Sequence, residues 1–141
     1  MPGTLDALTK LRRMSDYSIA NLREADDDTG GRVEGMRGVF GRKYLASRDL
    51  GVSLWSYEAN LRVPFAHSHR EQEEAYVVVA GSGRIRLDDE VRELKPWDVI
   101  RVAPEVVRGF EAGADGLELI AVGGPKPEGG DGVPSDSPWP E

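Results

Sequence analysis

Two histidines, His67 and His69, stand two residues apart and are the only histidines in the chain. Glu74 follows them, and then an apolar run, Ala75-Tyr76-Val77-Val78-Val79-Ala80, ends at Gly81. On an extended strand successive side chains alternate faces, so positions i and i+2 point the same way. Two imidazoles on one face, with a carboxylate arriving on the next strand, form the skeleton of a first-row transition-metal site. Tyr76 shares the parity of Glu74 and is expected to face the same pocket. Gln72 is a further candidate donor to a bound molecule. Glu71 and Glu73 read as a solvated turn.

These residues need strands to position them, and beyond residue 32 the pattern is β. Short segments rich in Val, Ile, Leu and aromatics recur between turn residues. The expected strands are Val39–Leu45, Val52–Glu58, Phe65–Ser68, Ala75–Ala80, Arg84–Leu87, Val91–Leu94, Val99–Val102, Val106–Phe110 and Leu117–Val122. A first strand is expected over Tyr17–Leu22. Asp88-Asp89 reads as a tight hairpin turn, and Gly81-Ser82-Gly83 as the turn of another pair. Strands at such spacing without intervening helices indicate a sandwich or barrel. Trp55 and Tyr57 share a strand face and read as core or interface, with no chemistry assigned. Leu5, Leu8 and Leu11 predict one short amphipathic helix over Thr4–Met14, with Thr4 as N-cap. The domain reading is a helical arm over 1–16, a β-barrel over 17–122 and a tail over 123–141. The tail is rich in Gly and Pro and is expected to be disordered, though Trp139 could dock on a neighbouring surface.

A chain of 141 residues fits one domain with its own core. It contains no cysteine, which excludes disulfides, zinc–thiolate sites and thiol nucleophiles. That fits a reducing compartment, and the N-terminus lacks the basic start and apolar core of a signal peptide. No apolar stretch approaches the ~18–20 residues that span a bilayer. A soluble cytoplasmic protein is expected, with no membrane partner. The net charge of −7 argues against a nucleic-acid partner. Both histidines are taken by the metal pattern and no nucleophile elbow is present, so no Ser–His–Asp arrangement arises.

The stretch from Val63 to Gly83 resembles the first conserved motif of the cupin superfamily. In that motif a His-x-His pair is followed by Glu and then by Gly. Here four residues separate His69 from Glu74 and six separate Glu74 from Gly81, which is the family's register. The family's leading glycine is absent, because Leu61 holds its place. Fifteen residues separate Gly81 from Trp97, the spacing at which the second motif should begin. Its Gly, Pro, Gly, His and Asn fall on Trp97, Ala103, Glu105, Arg108 and Ala112, so Arg108 replaces the family's third histidine. The resemblance covers roughly residues 50 to 122. It implies an all-β double-stranded β-helix, a jelly-roll barrel, and commonly a homodimer.

His67, His69 and Glu74 would then hold a divalent transition metal, with Fe, Mn, Ni and Zn all suited to the set. Arg108 cannot join them, since a guanidinium stays protonated. If it points inward it either pairs with Glu74 or binds an anionic molecule beside the metal, while a one-residue shift would turn it outward. Three functional classes remain open. One is a metal-dependent enzyme acting on a small molecule, a dioxygenase or isomerase. Another is a small-molecule binding or sensing module, with or without metal, in its metal-free form carrying a vestigial site. The third is a structural or regulatory protein with a vestigial site that dimerises through its sheets. The expected contacts to the small molecule are Arg108, Tyr76 and Gln72.

Overall fold

The computed structural model describes residues 16–141. The helix expected over Thr4–Met14 lies outside these residues. The described elements are β1 (Met36–Phe40), α1 (Gly41–Leu45), β2 (Gly51–Tyr57), β3 (Ala66–His69), β4 (Glu74–Leu87), β5 (Glu90–Leu94), β6 (Val99–Val102), β7 (Arg108–Gly123) and β8 (Gly132–Ser135). All strand pairings are antiparallel and belong to a single curled sheet. The fold is a double-stranded β-helix with little helix.

Two long strands, β4 and β7, bend the sheet onto itself. The first half of β4 and the second half of β7 lie in one wall, in the order β1-β2-β7-β4-β6. Their other halves lie in the opposite wall, in the order β5-β4-β7-β3-β8. The crossing point is irregular, with register shifts between Val78 and Ala80 and between Gly81 and Gly83. Such bulges flip the side-chain phase. In β7, Phe110 and Ala112 face the core before the shift, and Leu117, Leu119 and Ala121 face it afterwards. In β4 the core side passes from Tyr76 and Val78 to Ile85. Gly81 sits where the walls nearly touch, because a Cβ there would lie 2.1 Å from the Gly116 carbonyl oxygen.

Several expected strands differ from the observed ones for this reason. Ala75–Ala80 and Arg84–Leu87 are one strand, β4, and Gly81-Ser82-Gly83 is its bulge rather than a turn. Val106–Phe110 and Leu117–Val122 likewise merge into β7. Asp88-Asp89 is the tight turn expected, with Leu87 paired to Glu90 and Asp88 at φ 53°. The expected Val39–Leu45 strand ends at Phe40 and gives way to the single turn α1, whose chain reverses at Ala46 in the left-handed region. Gly41 permits that switch, since a Cβ there would strike the Val52 carbonyl oxygen at 2.4 Å. Tyr17–Leu22 is not a strand, and Tyr17 and Ile19 are exposed.

The tail also departs from its compositional reading. Gly132–Ser135 forms β8 and pairs with Ala66–His69 along the full length of β3. Beyond it, the Trp139 ring lies under the Arg62 and Arg84 guanidinium groups, and Glu141 pairs with both. Ser137 and Pro138 accept hydrogen bonds from the buried Arg86. A segment poor in apolar residues cannot build its own core. It can still be held by an open strand edge and by waiting arginines. No helix among the described residues is long and apolar enough to cross a membrane.

Candidate metal centre

β3 presents His67 and His69 from one face, with ring centroids 5.0 Å apart and the rings nearly perpendicular. A backbone bond from the His69 N–H to the Pro104 carbonyl, 2.7 Å, pins the end of that strand. The chain then turns and brings Glu74 back at the start of β4. Glu74 Oε1 lies 3.0 Å from His69 Nε2 and 3.7 Å from His67 Nε2. One ligand atom from each of the three residues falls within 4.8 Å of the others. The i, i+2 pair and the Glu74 spacing therefore converge in space as the sequence reading required.

Both ring nitrogens of His69 are buried, and neither has a hydrogen-bond partner of proper geometry among the described residues. Buried polar atoms are rarely left so, and an uncommitted imidazole nitrogen beside a carboxylate fits a metal ligand. Nitrogen and oxygen donors of this kind suit the first-row divalent metals. The three residues thus fit the ion that the sequence pattern implies.

Charge in the cluster is set by its surroundings. Burial pushes the Glu74 carboxyl up, but the Tyr76 hydrogen bond and the close imidazoles of His67 and His69 outweigh it and hold the group well below the usual carboxylate range. The Tyr76 hydroxyl donates to Glu74 Oε1 at 2.5 Å. Burial, reinforced by the Glu74 charge, raises the Tyr76 phenol well above its ordinary value, so it remains a donor. Tyr76 lines the pocket, as its parity suggested.

Arg108 faces inward. Its backbone is the register partner of His67, so it occupies the place opposite the histidine pair where the family carries its third histidine. The residue is 0% exposed. Nη2 donates to the Ala103 carbonyl at 3.0 Å, while Nε and Nη1 find no hydrogen-bond partner among the described residues. Nη1 is 3.9 Å from Glu74 Oε1, too long for the bidentate pair considered from sequence. Arg86, another arginine with the parity of Glu74, points to the opposite face because the β4 bulge reverses the phase, and the tail covers it.

A cavity of about 210 Å³ opens beside these groups. Trp55, Tyr57, Phe65 and Phe110 supply apolar wall, with Tyr57 stacked on Phe110 at 6.2 Å between centroids. Trp55 and Tyr57, to which the sequence assigned no chemistry, therefore line the pocket. Their shared strand face was the available signal, but it does not distinguish a cavity wall from a solid core. Gln72 corrects the reading. Its side chain is packed over Gly123 and donates to the Gly124 carbonyl at 3.0 Å, away from the cavity lining.

One residue beside the site had no local signature. Asp131, from the tail, is 3% exposed. Its carboxylate accepts from the backbone N–H groups of Arg70, Glu71 and Gln72 at 3.1, 2.8 and 2.7 Å. Burial pushes this carboxyl up, but those three donors hold it below its ordinary value. The turn they belong to joins the two histidines to Glu74.

At the start of the second motif Trp97 has φ 74° and is 75% exposed. The cupin resemblance aligns a glycine with this left-handed position, where the backbone takes a conformation that suits glycine better than a residue with a side chain. Hydrogen bonds from the Trp97 N–H to the Val78 carbonyl, 2.7 Å, and from the Val78 N–H to the Asp98 carbonyl, 2.9 Å, hold it there.

No protein-family model matches the sequence, and no curated protein does. Solved structures do. A cupin protein from Bacteroides fragilis is similar at 28% identity over 74% of this chain and 88% of that one, with a TM-score of 0.60. A double-stranded β-helix protein from Klebsiella pneumoniae matches at 17% identity over 84% and 97% of the two chains, with a TM-score of 0.66. A sugar phosphate isomerase of the cupin superfamily from Silicibacter pomeroyi matches at 18% identity over 79% and 71%, with a TM-score of 0.61.

Proposed function

The chain belongs to the cupin superfamily, and we propose that its barrel binds a divalent transition metal together with a small anionic molecule. The observation that carries this reading is the convergence of His67, His69 and Glu74, with the His69 nitrogens buried and uncommitted. When bound, Fe, Mn, Ni or Zn in such a set would act as a Lewis acid or redox centre with open positions for a ligand.

The residues around the metal ligands define what else the pocket favours. Without a metal, Glu74 faces the Arg108 cation and receives the Tyr76 proton donor. A divalent cation added to this set leaves surplus positive charge in a buried place, and an anionic ligand offsets it. Arg108 Nε and Nη1 are donors awaiting such a partner. The aromatic walls make the inner part of the pocket less polar and so strengthen contacts to its buried groups. Tyr76, still protonated at working pH, can orient an oxygen of the ligand or of Glu74. Dioxygenase or isomerase chemistry is the enzymatic form of this reading, and the barrel shared with the Silicibacter sugar phosphate isomerase is compatible with it.

The second reading is a metal-free binding or sensing module. It is favoured by the same Tyr76 and Arg108 contacts, which partly satisfy Glu74 without any cation. Elemental analysis separates the two. Purified protein should hold about one transition-metal ion per chain, and His67→Ala should remove it. Absence of stoichiometric metal after incubation with Fe(II), Mn(II), Ni(II) and Zn(II) in turn refutes the metal reading.

A further inference from the structure

The tail residue Asp131 meets the site at the point where His69 needs orienting. Its Oδ2 is 3.7 Å from His69 Nδ1, while His69 Nε2 faces Glu74 Oε1 at 3.0 Å on the opposite side of the ring. The imidazole thus lies between two carboxylates. At 3.7 Å the Asp131 contact is a charge–dipole attraction rather than a hydrogen bond. It still favours a proton on the nitrogen nearest the negative charge. In the metal-free protein Glu74, at 3.0 Å, exerts the stronger pull on a proton at Nε2. A cation bound at Nε2 displaces that proton and leaves Nδ1 to carry one beside Asp131, whose carboxylate is fixed in place by the backbone N–H groups of Arg70, Glu71 and Gln72.

We propose that Asp131 is a positioning residue of the metal site. Once a metal sits at Nε2 it receives the Nδ1 proton, which fixes His69 as an Nε2 ligand aimed to where Glu74 and His67 converge. This rests on the metal reading above. Ligating histidines commonly hand their second nitrogen to a carboxylate, which sets the tautomer and raises the basicity of the ligating nitrogen. The surrounding backbone supports the same role. Asp131 ties down the turn between His69 and Glu74, and β8 then pairs with β3 from His69 to Ala66, opposite the single β3–β7 pair His67–Arg108. The C-terminal segment is therefore a structural part of the site, not an appendage to the barrel.

Two measurements test it. The first is ¹⁵N NMR of the histidine rings in Zn(II)-loaded wild-type protein, where His69 should ligate through Nε2 and carry its proton on Nδ1. Ligation through Nδ1 overturns the proposal whatever any variant does. The second is a Co(II) titration, read by visible absorption, of wild type and Asp131→Asn. The substitution keeps size and an acceptor oxygen but removes the charge. It should weaken Co(II) binding about 10–100-fold. Co(II) affinity within about threefold of wild type would show that Asp131 only ties the turn, with the metal reading left intact. If wild type binds neither Zn(II) nor Co(II), the metal reading falls and this proposal with it.

Discussion

Replacing Tyr76 with Phe removes one oxygen from the buried cluster and little else. The lost bond runs from the phenol to an ionised carboxylate at 2.5 Å, and such charge-assisted bonds contribute about 1.5–3 kcal/mol. Glu74 is not orphaned by the change, because His69 Nε2 remains at 3.0 Å and Arg108 Nη1 at 3.9 Å. The cost should therefore stay near ~2 kcal/mol, short of the 3–5 kcal/mol for a buried charge stripped of its partner. In urea, with an unfolding slope of about 2 kcal/mol/M, the midpoint of metal-free Tyr76→Phe should fall by about 1 M. The pH dependence follows from Glu74, whose folded-state carboxyl lies well below its ordinary value. A depressed carboxyl contributes stability above the unfolded pKa and loses it as pH falls through the folded one. Tyr76→Phe raises that folded value and so diminishes the contribution. The gap between variant and wild type should be widest at neutral pH and should narrow in acid. An unchanged midpoint at neutral pH, or a gap that widens in acid, refutes the reasoning.

Arg108→Met should weaken binding of carboxylate ligands by about 10-fold or more while sparing neutral analogues, measured by calorimetry on metal-loaded protein; equal losses for both refute an anion-recognition role. Trp97→Gly should raise the melting temperature by a few degrees, because it relieves a left-handed conformation that costs a side-chain-bearing residue about 1–2 kcal/mol, at a position whose indole is 75% exposed and packs little. Gly81→Ala should do the reverse and lower stability by at least ~2 kcal/mol in the same assay, since its Cβ would meet the Gly116 oxygen at 2.1 Å with φ at 76°.

Much of the candidate site was legible because strand geometry is local. His67 and His69 share a face for the simple reason that side chains alternate, and the short turn to Glu74 leaves few ways to avoid the pair. The resemblance to the second motif set Arg108 in the third histidine's place and left its direction open; the structure pairs it with His67 and turns it inward. What escaped the reading were phase and long-range closure. The bulge at Val78/Ala80 reverses the phase of β4, so Arg86 lies on the face opposite Glu74 although their numbers share parity. Gln72 was drawn off by the Gly124 carbonyl, an acceptor 52 residues away. Trp55 and Tyr57 were recognised as sharing a face, but only the packing of both walls leaves a cavity before them.

By itself, then, the sequence determined an all-β barrel, the two histidines on one strand face, the carboxylate that joins them and the arginine in the third histidine's place. The histidine pair and its carboxylate follow from alternation and spacing along one strand and one tight connection, the barrel from recurring strand segments between turns, and the arginine's place from the resemblance to the second cupin motif. Tertiary structure decided which arginine enters the pocket and which lies under the tail. It also decided that a Gly/Pro-rich segment becomes β8 and that Asp131 arrives beside His69. Those outcomes depend on open strand edges and unpaired donors supplied by distant parts of the chain, and no local pattern encodes a partner 60 residues away.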